Sequence, residues 1–179
     1  MLYVNIPYCP KTEGQDLGKA YNTFMSTIDD NDWACFLDHD AMFTTVNWYH
    51  QIEDIINQNP NAGIFTAITN RIGNPHQRYI EKSNDRIHDI KLHRAIGKTV
   101  QERYKTSVKD LTDSQLISGV VLVIKKKTWQ DIGGFKSGFL GVDNDIHQKC
   151  KNRGYKVLLM QGVYVYHWYR GDGDTSHLK

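Results

Sequence analysis

Trp33-Ala34-Cys35-Phe36-Leu37-Asp38-His39-Asp40 is the stretch from which the fold is read. Five consecutive uncharged residues, three of them large and apolar, sit between Asp32 and Asp38. Such a run fits a short strand buried on both faces, as in the interior of a mostly parallel sheet. The strand stops on two carboxylates. In open α/β sheets ligands bind in the crevice at the carboxyl ends of the strands, so Asp38 and Asp40 are expected beside a ligand. Hard divalent cations prefer carboxylate oxygens, which makes this Asp-His-Asp a candidate metal site.

The spacing by itself decides little. With 16 Asp in 179 residues, four Asp-x-Asp pairs occur: Asp30/Asp32, Asp38/Asp40, Asp143/Asp145 and Asp172/Asp174. Chance placement gives about one or two such pairs. Asp30/Asp32 lie in a polar turn and Asp172/Asp174 in a Gly-rich tail, where solvated loop carboxylates are the default. Asp38/Asp40 are set apart by ending a buried strand.

Outside this stretch the chain reads as one α/β domain. At 179 residues and 20.7 kDa, a single core burying about 70% of the unfolded surface is expected. A hydrophobic content of 40% with 23% charged residues is that of an ordinary globular protein. No run of apolar residues is long enough to span a membrane, and residues 1–7 lack the pattern of a signal peptide. Cys9, Cys35 and Cys150 are odd in number without Cys-x-x-Cys spacing, which argues against disulfides and zinc and for a reducing, cytoplasmic location. The net charge of +2 hides a basic segment. Residues 71–109 hold ten Lys/Arg against four acids, with three histidines, which suggests either phosphate-bearing ligands or a solvated helix face.

Strand and helix patterns alternate along the chain. Residues 2–6 read as a first strand. Leu17, Ala20, Tyr21, Phe24, Met25 and Ile28 recur at helical intervals, with Asp16 as the N-cap. Trp48, Ile52, Ile55 and Ile56 mark a helix ending before Pro60, and residues 63–69 a strand. Leu92, Ile96, Val100 and Tyr104 support a helix through the basic segment. Residues 117–124 give the strongest strand pattern, expected at the centre of the sheet. A short helix over 127–131, a helix over 143–153 closed by Gly154, and two strands over 155–160 and 163–167 complete the order. The alternation predicts a three-layer α/β/α domain.

Two further constellations carry chemistry. Gly133-Gly134-Phe135 is followed by Gly141-Val142-Asp143-Asn144-Asp145-Ile146. Double glycine lets a backbone approach a ligand, and carboxylates at a helix N-terminus are favoured by the dipole and by capping. Asp143 is the functional candidate, while Asp145 is read as an acceptor-site residue or a helix cap. His167, in Tyr164-Val165-Tyr166-His167-Trp168-Tyr169-Arg170, would supply a third ligand and shift preference from Mg²⁺ to Mn²⁺.

In order and spacing these pieces resemble the GT-A nucleotide-sugar glycosyltransferases, in particular the large family 2. The matching segments are Leu17-Gly18-Lys19-Ala20-Tyr21-Asn22, the Asp38-His39-Asp40 metal motif, Trp129-Gln130-Asp131-Ile132-Gly133-Gly134-Phe135, residues 141–146, and Tyr166-His167-Trp168. The resemblance implies a Rossmann-related single domain over residues 1–179. It implies transfer of a hexose from a nucleoside-diphosphate sugar, UDP first, to an acceptor hydroxyl with inversion. It assigns Asp143 as catalytic base and Asp38, Asp40 and His167 to Mn²⁺, with Mg²⁺ as alternative. Pro7, Lys19, Asn22, Asp38, His39, Ser118, Gly119, Gly134 and Arg170 fall at donor-binding positions. The expected partners are the donor, a glycan, lipid-linked or protein acceptor, and a second copy in a homodimer, with no nucleic acid and no transmembrane segment. Two departures accompany it. Only 37 residues precede Asp38, so the nucleotide-binding half is expected to be truncated, and Val142 stands where members carry Glu. A sugar nucleotidyltransferase is a rival, although residues 7–15 hold a single glycine where a phosphate loop would be Gly-rich. A non-catalytic nucleotide- or carbohydrate-binding module is the other.

Overall fold

A computed structural model of the chain describes residues 1–79 and 87–169. Its elements are β1 (Leu2–Asn5), α1 (Leu17–Thr27), β2 (Trp33–Leu37), β3 (Ala41–Phe43), α2 (Trp48–Gln58), β4 (Ala62–Thr69), α3 (Ile90–Tyr104), β5 (Val108–Asp110), β6 (Val121–Lys125), α4 (Lys126–Asp131), α5 (Val142–Asn152) and β7 (Lys156–His167). The seven strands form one sheet in the order β1-β2-β6-β4-β7-β3, with β5 also on β7.

Alternation along the strands feeds two cores, one on each face. Trp33, Cys35 and Leu37 of β2 pack with Ile52, Ile55 and Ile56 of α2. Ala34 and Phe36 turn the other way, to Tyr21 and Met25 of α1, Ile96 and Val100 of α3, and Ile146 of α5. Phe36 meets Tyr21 at 4.3 Å between ring centroids and Phe135 at 5.8 Å. All five residues of β2 are buried, as its composition requires.

The expectation of a mostly parallel sheet is corrected. Of the six strand pairings, only β1·β2 and β4·β7 are parallel. β6 runs against both neighbours. A strand buried on both faces is apolar throughout whichever way it runs, so composition does not report its direction.

Three other boundaries differ. The strand expected over 117–124 begins only at Val121, because side chains take the backbone groups before it. Ile117 N–H donates to His147 Nδ1, Ser118 N–H to Gln77 Oε1 and Gly119 N–H to Asp143 Oδ2. The two strands expected at 155–160 and 163–167 are joined as one, β7, whose register on β4 jumps between Met160 and Tyr164; within that irregularity Gly162 lets Lys105 pass close. A Cβ at Gly162 would lie 1.9 Å from the Lys105 carbonyl oxygen. β3 and β5, three residues each, fall below the length at which alternation is readable.

α1 carries the expected cap: Asp16 accepts from Lys19 N–H at 2.7 Å. The same carboxylate accepts from Gly138 N–H at 2.8 Å and from the Ser137 hydroxyl, so it ties the 136–141 loop to the helix. No helix among the described residues is long and apolar enough to cross a membrane.

Gly162→Ala should destabilise the fold by about 1–3 kcal/mol through overpacking. Chemical denaturation of the two proteins checks this; equal midpoints would refute the close-passage account.

Candidate active site

Asp38 follows the last residue of β2, and its N–H donates to Val120 O at 3.0 Å, extending the β2·β6 ladder by one step. Its carbonyl accepts from Ala41 N–H at 3.1 Å. The resulting tight turn leads straight into β3. There Ala41 pairs with His167 of β7, and Trp168 N–H donates to Asp40 O at 2.9 Å. A turn and a three-residue strand thus carry Asp40 to a residue 127 positions later. One ligand atom from each of Asp38, Asp40 and His167 lies within 4.8 Å of the others.

Asn70 fixes the His167 backbone on both sides, accepting its N–H at 2.8 Å and donating to its carbonyl at 3.1 Å. The ring is oriented by Arg71. Its carbonyl can only accept, so the His167 Nδ1 at 2.7 Å carries the proton. In the neutral ring this leaves the Nε2 lone pair on the side of Asp40 Oδ1, 3.4 Å away. A backbone carbonyl on the far nitrogen is the usual support of a metal-bound imidazole. Two carboxylates and one imidazole suit Mn²⁺ better than Mg²⁺, and the donor set fits a divalent cation.

Burial, with the Asp40 charge next in weight, pushes the Asp38 carboxyl from 3.8 up to about 6. A carboxylate held this way is ionised at neutral pH at a cost, and a bound cation relieves that cost.

These groups line a cleft of about 700 Å³. Pro7, His39, Ser118, Gly119 and Asp143 line it too. Asp143 is the second residue of α5, whose N-cap is Gly141 in left-handed conformation (φ 70°). Its Oδ2 accepts from Gly119 N–H and its Oδ1 from Asn144 N–H, both at 2.9 Å. Each carboxylate oxygen has two acceptor sites, so one on each remains for a substrate proton. A side chain at Gly119 would press on Asp143, with Cβ to Cβ at 3.2 Å.

Other sequence candidates stand apart from the lining. Asn22 clasps the double-glycine turn: its Nδ2 donates to Phe135 O at 2.8 Å, and its Oδ1 accepts from Phe135 N–H and Trp129 Nε1. Gly134 sits behind that clasp with φ 73° and gives its carbonyl to Lys149. Lys19 is exposed on α1 and lies outside the lining. Asp145 neither caps α5 nor lines the cleft; it pairs with Lys149 at 2.9 Å, one helical turn on. Gly134 therefore serves the packing of α1 against α4, while Gly133 meets nothing and is set by its left-handed φ of 78°. Arg170, the tail 171–179, Lys82 and Arg86 lie outside the described residues.

Sequence reasoning did not single out several lining residues: Tyr8, Cys9, Ile72, Gly73, Phe139 and Tyr169. They come from loops after β1, β4 and β7 and from the turn before α5. Their signal was the rule that crevices form at strand ends, which names loops but not residues.

No protein-family model matches the chain, and no curated protein gives a significant match.

Two measurements test this site. Mn²⁺ affinity should fall about fivefold between pH 6 and pH 5, as Asp38 takes up its proton. Without metal the sign reverses for stability: the folded pKa lies above the unfolded one, so this carboxyl lowers stability as pH rises from about 4 to about 6. Calorimetric titration and denaturation across that range check both. Asn22→Ala should cost about 2–4 kcal/mol for the partners it strands while Mn²⁺ affinity stays within about twofold, since no cleft group is touched. Lost metal binding in a folded Asn22→Ala protein would contradict the clasp assignment.

Proposed function

We propose that the chain is a metal-dependent glycosyltransferase of the three-layer GT-A kind, moving a hexose from a nucleoside-diphosphate sugar to an acceptor hydroxyl with inversion. The observation that carries the reading is the convergence of Asp38, Asp40 and His167 within 4.8 Å on the wall of a cleft that Asp143 also lines. UDP sugars are the first donors to test. The order of the motifs along the chain supports the same conclusion.

Asp38, Asp40 and His167 would hold Mn²⁺ or Mg²⁺. When bound, the cation supplies a Lewis acid that offsets charge on the departing diphosphate. Pro7, His39, Ser118 and Gly119 border the donor. Ser118 is held by Gln77, which accepts its N–H at 2.8 Å and donates to its carbonyl at 3.0 Å, so this wall is set before a ligand arrives.

Asp143 takes the proton of the attacking hydroxyl. Its two backbone hydrogen bonds aim the carboxylate. The anomeric carbon passes through an oxocarbenium-like state, as in glycoside hydrolysis, and a single displacement inverts its configuration.

Asp143→Asn should lower kcat by roughly 10²–10⁴ with donor affinity largely kept. The asparagine can accept only one of the two N–H groups, so donor binding by calorimetry serves as the control for folding. Turnover at the parental rate would remove Asp143 from the chemistry. Release of nucleoside diphosphate from UDP, GDP and CDP sugars with Mn²⁺ present separates an enzyme from a binding module. Binding without release from any of them would favour the module.

A further inference from the structure

We infer that the Tyr21 hydroxyl binds a hydroxyl of the transferred sugar, an assignment that rests on the glycosyl transfer proposed above. Tyr21 of α1 is 1% exposed, yet it lines the cleft together with Asp38 and Asp143. Its ring belongs to the core while its oxygen opens on the cleft. Among the described residues no group hydrogen-bonds that oxygen. A phenol buried this deeply usually finds a partner within the protein. This one is held for a group that enters the cleft.

Packing sets where the hydroxyl lies. The ring meets Phe36 of β2 at 4.3 Å and Phe135 at 4.8 Å between centroids, and these two contacts hold it. Phe36 and Asp38 are two residues apart, and the Asp38 N–H continues the ladder, so both fall on one face of the sheet. Tyr21 therefore sits beneath the Asp38 carboxylate. Val142 and Ile146, which precede and follow Asp143 on α5, belong to the same core as Tyr21. The hydroxyl is thus near both acids and bonded to neither. Burial, then the charges of Asp38 and Asp143, hold it well above the usual tyrosine range, so the proton stays on.

The chemistry of that position selects a sugar hydroxyl over a phosphate oxygen. An ionised carboxylate only accepts, whereas a phenol can donate. A ligand hydroxyl lodged among them accepts from Tyr21 and donates to a carboxylate, so every group is satisfied. A phosphate oxygen only accepts and would face two negative charges; its place is on the cation. In the transfer proposed above, the hexose is what lies between the diphosphate at the cation site and the attacking hydroxyl at Asp143. Position and chemistry name the same group. A buried hydroxyl that lacks a partner also penalises any ligand unable to supply one, which makes Tyr21 a specificity-determining residue.

Tyr21→Phe removes one oxygen and keeps the ring, so its denaturation midpoint should equal that of the parent. Calorimetry of the whole chain with Mn²⁺ then compares free UDP, GDP and CDP with UDP-glucose, UDP-N-acetylglucosamine, GDP-mannose and CDP-glucose. In Tyr21→Phe the free diphosphates should bind within about twofold of the parent, while the sugar ester that the parent prefers should weaken about fivefold. Equal affinity of that ester in parent and variant overturns the assignment and leaves the proposed function standing. Equal weakening of ester and free diphosphate gives the hydroxyl to the nucleotide and overturns it too. A lowered midpoint shows a hydroxyl bonded within the core, with the same consequence. If the parent binds none of the four esters, the proposed function falls and takes this assignment with it.

Discussion

The pairing of Ala41 with His167 is the constraint on which the site depends. β2 ends in the interior of the sheet, just before Asp38; His167 ends β7, three places along the strand order. Left to themselves, the acids at the end of β2 and the imidazole at the end of β7 would share a rim without meeting. The tight turn from Asp38 to Ala41 and the short β3 bring Asp40 across. Asn70 then locks the His167 backbone and Arg71 its ring. The result places like charges together in a poorly solvated place, which is why Asp38 titrates so high. Two carboxylates and an imidazole so arranged make a donor set that fits a divalent cation.

A second trade lies at residues 117–120. This segment has the composition of a central strand, yet the N–H groups of Ile117, Ser118 and Gly119 go to the side chains of His147, Gln77 and Asp143, and the ladder is taken up only from Val120, whose carbonyl accepts from Asp38 N–H. Sheet pairing is exchanged for a fixed wall facing the cleft. The same exchange aims Asp143, since Gly119 N–H holds one of its oxygens. Gln77 is itself buried and bonded to Thr66 of β4, so the wall is anchored in the sheet. The site is thus built where regular structure gives way, on side chains that replace lost backbone bonds.

Long elements were legible because burial imposes a period on them. α1 with its Asp16 cap, α2, α3 and α5 appear within a residue or two of where periodicity puts them, and β2 lies where its uncharged run does. Strand direction was not legible, since β6 is apolar on both faces whichever way it runs. β3 was not legible either, because three residues carry no period; yet it joins Asp40 to His167. For the candidate site, Asp38, Asp40, His167 and Asp143 could be named because they sit at strand and helix ends, where chemistry concentrates. Lys19, Asn22 and Gly134 were named from motif order alone, which does not distinguish a residue that contacts a ligand from one that clasps a turn. Asn22 belongs to the second kind, with three partners in residues 129–135.

The central claim is that residues 38, 40 and 167 act as one cation site. Electron spin echo modulation of Mn²⁺ bound to the whole chain reads it most directly, because it detects nitrogen coordinated to the metal. The account predicts modulation from a single imidazole nitrogen that disappears in His167→Ala, along with the high-affinity Mn²⁺ signal in Asp40→Ala. Modulation that persists in His167→Ala, or tight Mn²⁺ binding with no nitrogen coupling at all, would contradict it.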